Sequence, residues 1–439
     1  MKKIKQKIFI VLTIILVSSN IIKAQLVNPC RTVDVIEQEE SLHPGYKARV
    51  NAMFEQSKRI VEEMKSSRAV NSDTLYRIPV VVHIVHTAPN ENLPDSLVFS
   101  QIEVLNNDYN RWNSDSTQTR AVFKPIAGSL NFQFYLATTD PTGNPTTGII
   151  RKTGTPAIPF VGFNAFQDNV KNPDEGDAPW NTDKYLNIWV CNLNTIPLGV
   201  LGYAYPPTGA ANWDAASYTD SAKQGVVIDY TAFGRNNPYV IDPGVAPGRT
   251  CVHEVGHYLG LRHIWADEDL CAEDDGIDDT PKAGAASNFD CDTTKNTCVD
   301  VGVDYPDMIE NFMDYSDEHC QNMFTQEQAA IMLVNLITLR PDLAEKAPLY
   351  GVGFSQNNFE NNISVYPNPA VDFINIDFKS IRNNQVKIEL IDNAGKSVLN
   401  KILDVNNDIH AIDISQLTSG FYYLQISNGR YILRKKVVK

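Results

Sequence analysis

The sequence predicts an α+β domain that is followed by a small all-β sandwich. Strand-like runs and stretches of helical periodicity are mixed up to residue 348, which is typical of an α+β or α/β domain. Beyond a Gly/Asn-rich stretch at 349–362, only short strand-like runs separated by Asn-Gly and Asn-Ala-Gly turns remain. We therefore expect two folded units that are joined by a linker.

The first 24 residues resemble a secretory signal peptide. Four lysines precede the apolar run at 8–17, and Ala24 offers a small residue for cleavage. A membrane anchor is not favoured, because ten apolar residues span about 15 Å as a helix, half of a ~30 Å hydrocarbon core. We expect a mature protein that begins near Gln25 in an oxidising space, where cysteines pair.

The elements of the first unit follow from the spacing of its apolar residues. A helical stretch is expected over 46–64, and the β-branched run at 77–87 is long enough for a buried strand. A further helix, which we expect Asp95 or Ser96 to cap, repeats apolar residues at helical spacing as far as Trp112. The remaining predictions are strands at 130–136, 185–191 and 225–231 and a helix at 248–261.

The second unit is predicted from short runs with alternating polarity. Its strands are expected at 374–378, 385–391, 397–403, 410–413 and 421–437. Strands of this length without helices between them form a sandwich once their apolar faces pack together.

The charge of the chain is concentrated in its middle part. The formal net charge is −14, from 38 basic and 52 acidic residues. Residues 1–24 carry five lysines and no acid, and residues 354–439 carry ten basic and eight acidic residues, so the part between them has a net charge of −21. This balance argues against nucleic-acid binding, because phosphate groups require a basic surface.

The motif that carries chemistry lies at residues 253–263, which read His-Glu-Val-Gly-His-Tyr-Leu-Gly-Leu-Arg-His. Histidines at i and i+4 lie on one face of a helix, so His253 and His257 can bind one metal ion. Gly260 allows a left-handed turn, after which His263 can supply a third ligand. Three histidines leave the fourth zinc position open to water, which marks a catalytic site. The alternative is that the three histidines have this spacing by chance. It is not favoured, because the segment matches the metal-binding motif at five fixed positions.

This segment resembles the long zinc-binding signature of the metzincin peptidases, and residues 311–315 (Asn-Phe-Met-Asp-Tyr) resemble their Met-turn. Flanking segments such as LNIWVCNL, GVVIDYTAFG and NFMDYSDEHCQNMFT are similar to the bacterial, cytophagalysin-like branch of the pappalysin family, over roughly residues 75–345. The resemblance implies a metzincin fold with a twisted mixed sheet and a secreted zinc endopeptidase activity. It assigns zinc binding to His253, His257 and His263, general base and acid catalysis to Glu254, the Met-turn to Met313 and oxyanion stabilisation to Tyr315.

The implied reaction is hydrolysis of peptide bonds in proteins by a zinc-bound water, from which Glu254 takes the proton. The substrate would lie extended along an edge strand, for which Gly202, Tyr203 and Ala204 are the candidate. A non-catalytic surface adhesin on the same scaffold is an alternative, although such a protein would not require Glu254. A zinc hydrolase with a non-peptide substrate is a second alternative, against which the Met-turn argues.

An acidic segment follows the zinc motif, with eight carboxylates between Asp267 and Asp279. A solvated surface is one explanation of such a run. Hard oxygen ligands around a glycine are also what calcium prefers, and the EF-hand spacing is absent. Family members bind calcium here, and the resemblance implies Asp275, Asp278, Asp279 and Thr280 as ligands.

Four of the seven cysteines lie between the zinc motif and the end of the Met-turn region, at positions 271, 291, 298 and 320. The sequence alone allows three pairings among them. The family pattern implies the pairs Cys271–Cys298 and Cys291–Cys320. A second zinc site is not favoured, because no Cys-x-x-Cys pair occurs. Cys191 and Cys251 lie in apolar elements and are expected to be buried thiols.

Cys30 stands alone in the polar N-terminal segment. A thiolate can occupy the fourth zinc position and displace the catalytic water. The segment resembles the cysteine switch of metzincin zymogens, except that Arg31 stands where many relatives carry glycine. The resemblance implies a latent precursor with Arg68 or Arg77 as candidate cut sites; a lipid-attached, disulfide-linked or inert cysteine is the alternative.

The C-terminal unit resembles the type-A sorting domain of the bacterial type IX secretion system, in residues 365–369 (Val-Tyr-Pro-Asn-Pro), the turn at 392–396 and the basic end at 434–439. The resemblance implies binding to the outer-membrane secretion machinery and a product that is secreted or attached to the bacterial cell surface. A carbohydrate-binding or adhesive sandwich is the alternative. The expected organisation is a signal peptide at 1–24, a propeptide at 25–74, a metzincin catalytic domain at 75–348, a linker at 349–362 and a sorting domain at 363–439.

Overall fold

The computed structural model describes most of the chain outside its N-terminal leader and its linker. The described residues are 29–67, 74–154, 168–193, 199–207, 223–240, 242–267, 271–299, 302–348, 363–379, 384–392, 396–405, 409–427 and 432–439. The expected signal peptide, the expected linker and Arg68 therefore lie outside the described residues. Within the described part, no helix is both long and apolar enough to span a bilayer.

The first unit contains both helices and strands, and only strands are found in the described part of the second. The α-helices are α1 (Thr32–Leu42), α2 (Tyr46–Ser67), α3 (Asp95–Tyr109), α4 (Thr250–Tyr258) and α5 (Gln326–Leu339). The strands of the first unit are β1 (Thr74–His86), β2 (Phe132–Leu136), β3 (Ile149–Thr153), β4 (Leu186–Cys191), β5 (Gly202–Ala204), β6 (Val226–Asp229) and β7 (Glu345–Pro348). Those of the second are β8 (Ile363–Tyr366), β9 (Phe373–Phe378), β10 (Asn384–Asp392), β11 (Ser397–Val405), β12 (Ile409–Asp413), β13 (Phe421–Ser427) and β14 (Ile432–Val438).

The sheet of the first unit is mixed and has β5 at one edge. Its order is β2-β1-β4-β6-β5, and β3 and β7 also pair with β1. The strands β2, β3 and β4 pair in parallel with β1, and β6 pairs in parallel with β4. The strand β5 is antiparallel to β6, and β7 is antiparallel to β1. One strand can serve four partners because β1 is 13 residues long and has two edges: β2 pairs with residues 76–80, β3 with 82–86, β4 with 80–84 and β7 with 74–77. The α+β prediction is confirmed, with helices packed on a twisted mixed sheet.

The zinc motif lies on the helix next to this edge. The helix α4 packs on β5 and β6, and α3 packs on α4 and β2. Tyr109 at the end of α3 donates a hydrogen bond to the Val252 carbonyl (2.9 Å), which ties the two helices together. All nine residues of α4 are buried, so the helix that carries the motif lies in the interior of the domain and not on its surface.

The helix α3 begins differently from the prediction. Pro94 is its N-cap residue, with an extended conformation (φ −69°, ψ 155°), and no side chain caps the helix. The expected capping by Asp95 or Ser96 is therefore wrong. Asp95 lies instead in the first turn, where its carboxylate faces the positive end of the helix dipole.

The C-terminal unit has two antiparallel sheets around one apolar core. Their strand orders are β11-β10-β13-β14 and β12-β9-β8. Inward-facing residues such as Ile376, Ile388 and Leu424 are buried, and along β9, β10 and β13 they alternate with exposed or half-buried residues. The sandwich prediction is confirmed, and the run predicted at 421–437 is the antiparallel pair β13 and β14.

Candidate metal centre and active site

The zinc-motif helix α4 is held at its N-terminal end by a carboxylate from a distant part of the chain. Glu318 accepts hydrogen bonds from the backbone nitrogens of Arg249 (2.8 Å) and Thr250 (2.6 Å) and from the Thr250 hydroxyl (2.8 Å). These donors have no partner within the helix, so the carboxylate satisfies them and faces the positive end of the helix dipole. Sequence reasoning did not find this role, because 68 residues separate Glu318 from Thr250.

The turn after α4 returns the chain toward the motif. Gly260 has φ +92°, and a Cβ at this position would lie 2.2 Å from the Asn335 side chain. Asn335 of α5 donates to the Leu259 carbonyl (2.7 Å), so it lies over this turn. Only glycine fits both the conformation and the space, and the turn places His263 opposite the helix as predicted.

Three imidazoles converge at this point. The Nε2 atoms of His253, His257 and His263 lie 3.0–3.1 Å from one another. Each Nδ1 atom is held by another partner: the Phe312 carbonyl (2.8 Å) for His253, the Leu261 carbonyl (2.9 Å) for His257 and the Asp267 carboxylate for His263. These contacts fix which nitrogen faces the centre, as outer partners of metal-bound histidines do.

The electrostatics of the three rings suit a metal ion. Burial and the neighbouring His263 lower the pKa of His253 to about 3 and the pKa of His257 well below its usual value. Neutral imidazoles are the form that binds zinc. Converging Nε2 lone pairs with fixed Nδ1 partners therefore fit one zinc ion.

The Met-turn lies beneath the zinc-motif helix. Met313 is fully buried, and a Cβ at Gly256 would lie 2.6 Å from its sulfur. Glycine at that helix position therefore allows Met313 to pack directly against the backbone. The turn also supplies the Phe312 carbonyl that orients His253.

Glu254 lies between the helix and the edge strand β5. Its side chain is buried, and burial raises its pKa to about 8. A Cβ at Gly202 would lie 2.8 Å from Glu254 Cγ, so the strand can come this close only without a side chain. Among the described residues, Glu254 Oε1 has no hydrogen-bond partner, whereas Oε2 accepts from the N-terminal segment.

The N-terminal segment lies along the free edge of β5 and enters the site. The Arg31 nitrogen donates to the Gly202 carbonyl (2.9 Å), and the Leu201 nitrogen donates to the Pro29 carbonyl (2.7 Å). The Cys30 sulfur and the three histidine ligand atoms all lie within 4.8 Å of one another. Thr32, which sequence reasoning missed, donates from its hydroxyl to Glu254 Oε2 (3.0 Å) and accepts from the Ala204 nitrogen (2.9 Å).

Tyr315 also contacts the N-terminal segment. Its hydroxyl donates to the Cys30 carbonyl (3.3 Å), and its ring centroid lies 4.9 Å from that of His263. Burial raises the pKa of Tyr315 well above its usual value, so the phenol stays protonated as a donor. The residue is thus a hydrogen-bond donor beside the converging histidines.

The acidic segment after the motif is only partly organised as a ligand set. Asp275 Oδ1 accepts from the Thr280 hydroxyl (2.7 Å) and the Ile277 nitrogen (3.0 Å), and Asp279 Oδ2 accepts from the Glu327 nitrogen (3.0 Å). The other oxygens, Asp275 Oδ2 and Asp279 Oδ1, are buried and accept no hydrogen bond from described residues. Asp278 is mostly exposed and lies 3.8 Å from Lys58. In the described part of the chain, the group formed by Cys30 and the three histidines is the one cluster of metal-ligand side chains with three or more members.

The cysteines of this region form two disulfides. Cys271 is bonded to Cys298 and Cys291 to Cys320. Both bonds lie in the stretch between the zinc-motif helix and α5. Cys191 and Cys251 are buried free thiols in the described structure, as is Cys30.

Comparison with protein families gives two matches. A family described as "Pregnancy-associated plasma protein-A" matches residues 169–337, and a family described as "Secretion system C-terminal sorting domain" matches residues 364–439. The first match contains the histidine cluster, Glu254 and the Met-turn. The second covers the C-terminal sandwich.

Curated relatives are extracellular metalloproteases of fungi. The protein from Arthroderma gypseum is 26% identical over 279 residues, which are 63% of this chain and 78% of the relative. The protein from Pyricularia oryzae is 28% identical over 269 residues, or 58% of this chain and 73% of the relative. These relatives do not support the adhesin alternative.

Solved structures with a similar fold come from Tannerella forsythia. Mature mirolysin in complex with a cleaved peptide is 38% identical, with a TM-score of 0.52, over 61% of this chain and 95% of that chain. A promirolysin mutant is 35% identical, with a TM-score of 0.58, over 72% of this chain and 97% of that chain. This chain is therefore a zinc metalloprotease, secreted or attached to the cell surface and made as a precursor, and it belongs to the pappalysin family of metzincins.

Proposed function

We propose that the described structure is the latent form of an endopeptidase that hydrolyses peptide bonds in proteins, with Glu254 as general base and acid. The observation that carries this proposal is the convergence of three Nε2 atoms beside a buried carboxylate, at the free edge of β5. His253, His257 and His263 would hold the zinc ion. When bound, zinc supplies a Lewis acid that polarises a water molecule and the scissile carbonyl.

Glu254 is suited to move the proton. Its carboxylate lies beside the converging histidines, with Oε2 3.5 Å from the Cys30 sulfur in that cluster, so it is placed to take a proton from a water at the metal and to deliver it later. In this proposal Glu254 takes a proton from the attacking water and then transfers it to the leaving amine. Gly202 supports this role, since its lack of a side chain leaves the carboxylate room beside the substrate strand.

We assign to Tyr315 the role of donating a hydrogen bond to the oxygen of the reacting carbonyl. In the described structure its hydroxyl already donates to a peptide carbonyl, that of Cys30. A substrate carbonyl in the same place would receive the same hydrogen bond. The bond would stabilise the negative charge that develops on this oxygen in the transition state.

The substrate is proposed to bind as an added strand along Gly202, Tyr203 and Ala204. This edge of β5 offers backbone donors and acceptors to an extended peptide, which is how strand addition binds peptides. Residues 29–31 make such backbone hydrogen bonds with it in the precursor. The proposal therefore makes the N-terminal segment a competitor of the substrate.

Cys30 is proposed as the switch that keeps the precursor latent. Burial and the nearby Glu254 raise the pKa of its thiol, so the thiolate requires a cation for its stabilisation. A zinc ion held by the three histidines would supply that charge and make the sulfur its fourth ligand.

Activation would then require removal of the propeptide, expected over residues 25–74, by a cut near its C-terminal end. Of the two candidate cut sites, Arg77 lies inside β1, paired with Gln133 on one side and Glu345 on the other. Cleavage there would cut β1, the strand that pairs with four others. We therefore place the cut before Thr74, in the stretch that contains Arg68 and lies outside the described residues.

Calcium is proposed as a structural ion in the acidic segment. Asp275, Asp278, Asp279 and Thr280 are the candidate ligands, and the buried oxygens of Asp275 and Asp279 support the site because they accept no hydrogen bond from described residues. Burial raises the pKa of Asp275 to about 8 and that of Asp279 to about 6, because a buried carboxylate without a cation is unstable in its charged form. A bound calcium ion would stabilise the charged form. The ion would fix this segment to the start of α5, where Asp279 accepts from the Glu327 nitrogen.

The C-terminal sandwich is proposed to bind the outer-membrane secretion machinery and to leave the enzyme afterwards. Its match to a sorting-domain family supports this role. The catalytic domain would then span 75–348, joined to the sorting domain at 363–439 by the linker at 349–362.

The proposal is tested on the precursor after proteolytic removal of its N-terminal segment. A zinc chelator should abolish cleavage of a protein substrate, and added zinc should restore it. Glu254→Ala should lower kcat by about 10²–10⁴-fold, the usual contribution of a general base. Glu254→Ala should still bind zinc, which metal analysis of the purified protein checks. Chelator-insensitive cleavage, or full activity of Glu254→Ala, would disprove the mechanism.

A further inference from the structure

A cavity of about 260 Å³ lies between the N-terminal segment and the zinc-motif side of the catalytic domain. Thr32 and His257, which belong to the zinc site, are among its lining residues. On the catalytic domain its wall also contains residues 206–207, which follow the edge strand β5, and Arg262. The helices α1 and α2 cover this space without filling it. The groove beneath them is therefore continuous with the cleft that holds β5 and the histidines.

Arg262 lies in the wall of this groove and is covered by α2. The centroid of the Phe54 ring is 4.0 Å from the guanidinium carbon, and Asn51 accepts a hydrogen bond from Arg262 Nη2 (3.0 Å). A cation at this distance from a ring is attracted by the negative charge of the ring face. Both partners belong to α2, so removal of the N-terminal segment uncovers the guanidinium.

A second wall for the Phe54 ring is the backbone at Gly276. A Cβ at this position would lie 3.0 Å from Phe54 Cε1 and 3.8 Å from Arg262 Nη1. The ring, the guanidinium and the Gly276 backbone therefore meet at one place, and glycine leaves room for the ring. We call the space between Arg262 and Gly276 the aromatic socket.

The backbone that carries Arg262 is fixed by the zinc motif and not by the N-terminal segment. On one side of it, the Leu261 carbonyl is hydrogen-bonded to His257 Nδ1 (2.9 Å). On the other side, His263 is one of the three converging imidazoles. Loss of α2 leaves these contacts intact, so the aromatic socket keeps its position relative to the histidines.

The charges around the aromatic socket favour an uncharged occupant. Asp267, Glu273 and Asp274 line the same groove as Arg262, so three carboxylates face one guanidinium. An acidic substrate side chain would meet these like charges, and a basic one would be repelled by Arg262 inside the socket. An uncharged aromatic ring avoids both and gains the attraction that Phe54 has in the precursor.

We propose that Arg262 and Gly276 form a subsite of the mature enzyme for an aromatic side chain of the substrate, and that Phe54 fills this subsite in the precursor. The inference rests on the proposed function, because it takes the groove beside the histidines to bind substrate. Arg262 is then a specificity residue for substrate binding. Filling the socket anchors α2, whereas Cys30 and Thr32 close the site where the chemistry occurs.

The experiment measures selectivity in the mature enzyme, prepared by cutting the full-length precursor. Quenched fluorescent peptides with one scissile bond carry phenylalanine, cyclohexylalanine or alanine at successive positions on both sides of that bond. Cyclohexylalanine has a similar apolar bulk but no aromatic face. At one position we expect kcat/KM to be about tenfold higher for phenylalanine than for alanine, because a large apolar side chain is buried. At that position phenylalanine should exceed cyclohexylalanine by about threefold, the size of a partly exposed cation–π contact.

Substitutions of Arg262 test whether this residue causes the preference. The phenylalanine/cyclohexylalanine ratio at that position should fall to about one in Arg262→Gln. Arg262→Lys keeps the charge but lacks the planar group that stacks on the ring, so its ratio should lie between those of Arg262→Gln and the wild type. Arg235→Gln removes an arginine that has Glu103 at 4.0 Å, and this matched control should keep the wild-type ratio. Each ratio compares two peptides in one variant, so it does not depend on how much active enzyme the variant yields.

Two results would overturn the subsite. One is equal cleavage of the phenylalanine and cyclohexylalanine peptides by the wild-type enzyme at every position. The other is a wild-type ratio in Arg262→Gln, or in Arg262→Lys if the glutamine variant does not fold. Failure of the proposed function gives a different result, because then no peptide of the series is cleaved in a chelator-sensitive manner.

Discussion

The N-terminal segment meets the catalytic domain in two ways that differ in kind. Residues 29–32 follow the edge strand and place Cys30 and Thr32 at the histidines and Glu254. The helix α2 packs on α5 and beside the acidic segment instead. The Phe54 ring of α2 lies 4.0 Å beneath the Arg262 guanidinium, and Lys65 pairs with Glu327 at 2.6 Å.

The two parts of the segment therefore have different roles: residues 29–32, the strand part, block the active site, and α2, the helix part, anchors the segment to the catalytic domain. The strand part has few residues, but its side chains contact the groups that perform the chemistry. The helix part buries large apolar side chains such as Met53, Phe54 and Val61 and contributes none of the metal-ligand side chains. We therefore expect substitutions in the first part to change activity and substitutions in the second to change stability.

The largest expected effect is that of Cys30→Ala in the uncut precursor. Apparent zinc affinities of about 10–16 kcal/mol in four-ligand sites correspond to about 2.5–4 kcal/mol per ligand. Loss of the thiol should therefore raise the basal peptidase activity on the order of 10²–10³-fold. Peptide hydrolysis by the precursor, with the cut prevented and verified by mass, measures this. The thermal midpoint should change little, and the double variant with Glu254→Ala should stay inactive. A precursor that stays fully latent without Cys30 would exclude the switch.

Phe54→Ala tests the anchoring side of the comparison. Truncation of a buried phenylalanine costs about 3 kcal/mol, so the midpoint of precursor unfolding should fall by several degrees. The segment should also be cut faster by an added protease, since local opening becomes more frequent. Latency of the uncut chain should remain within a few-fold of wild type. If Phe54→Ala releases as much activity as Cys30→Ala, then α2 also contributes to blocking the active site and the two roles are not separate.

Removal of zinc separates the two parts without a mutation. The strand part is proposed to depend on a Cys30–zinc bond, whereas α2 depends on packing. In the chelated precursor, hydrogen exchange of the Arg31 and Leu201 amides should become about tenfold faster, because their bonds to the Gly202 and Pro29 carbonyls then open more often. The amides in the middle of α2 should keep their protection, and added zinc should reverse the change. Equal loosening of both parts would show that the metal holds the whole segment.

Site residues that are close in sequence could be predicted, whereas those brought together by tertiary structure could be predicted only in part. His253, His257 and His263 lie within eleven residues, and helical spacing with one glycine turn is enough to bring them together. The isolation of Cys30 and a family resemblance predict its role as a candidate ligand, but its position at the edge of β5 depends on tertiary structure. Glu318 could be assigned no role at the start of α4, because no local pattern links it to Thr250.

Secondary structure was missed for similar reasons. The helix α5 is apolar around most of its circumference, so it shows little periodicity, although Thr325 and Gln328 form a capping box that is readable in the sequence. The helix α1 is mostly polar, and its buried positions, Thr32, Val35 and Glu39, form no apolar face that the sequence alone would show. Both helices are stabilised by what they pack against rather than by their own sequence pattern.

The smallest expected effect is that of Thr32→Val, which removes a blocking contact and leaves Cys30 in place. Its hydroxyl bridges Glu254 Oε2 and the Ala204 nitrogen, so valine loses both hydrogen bonds at similar volume. A hydrogen bond contributes about 1 kcal/mol, and one to a charged group somewhat more, so the precursor should leak about fivefold to tenfold more activity than wild type. Thr32→Ser keeps the hydroxyl and should stay as latent as wild type, which distinguishes the hydrogen bonds from the loss of side-chain shape. Equal leakage from both variants would show that the methyl group, and not the bridge to Glu254, holds this part of the strand in the site.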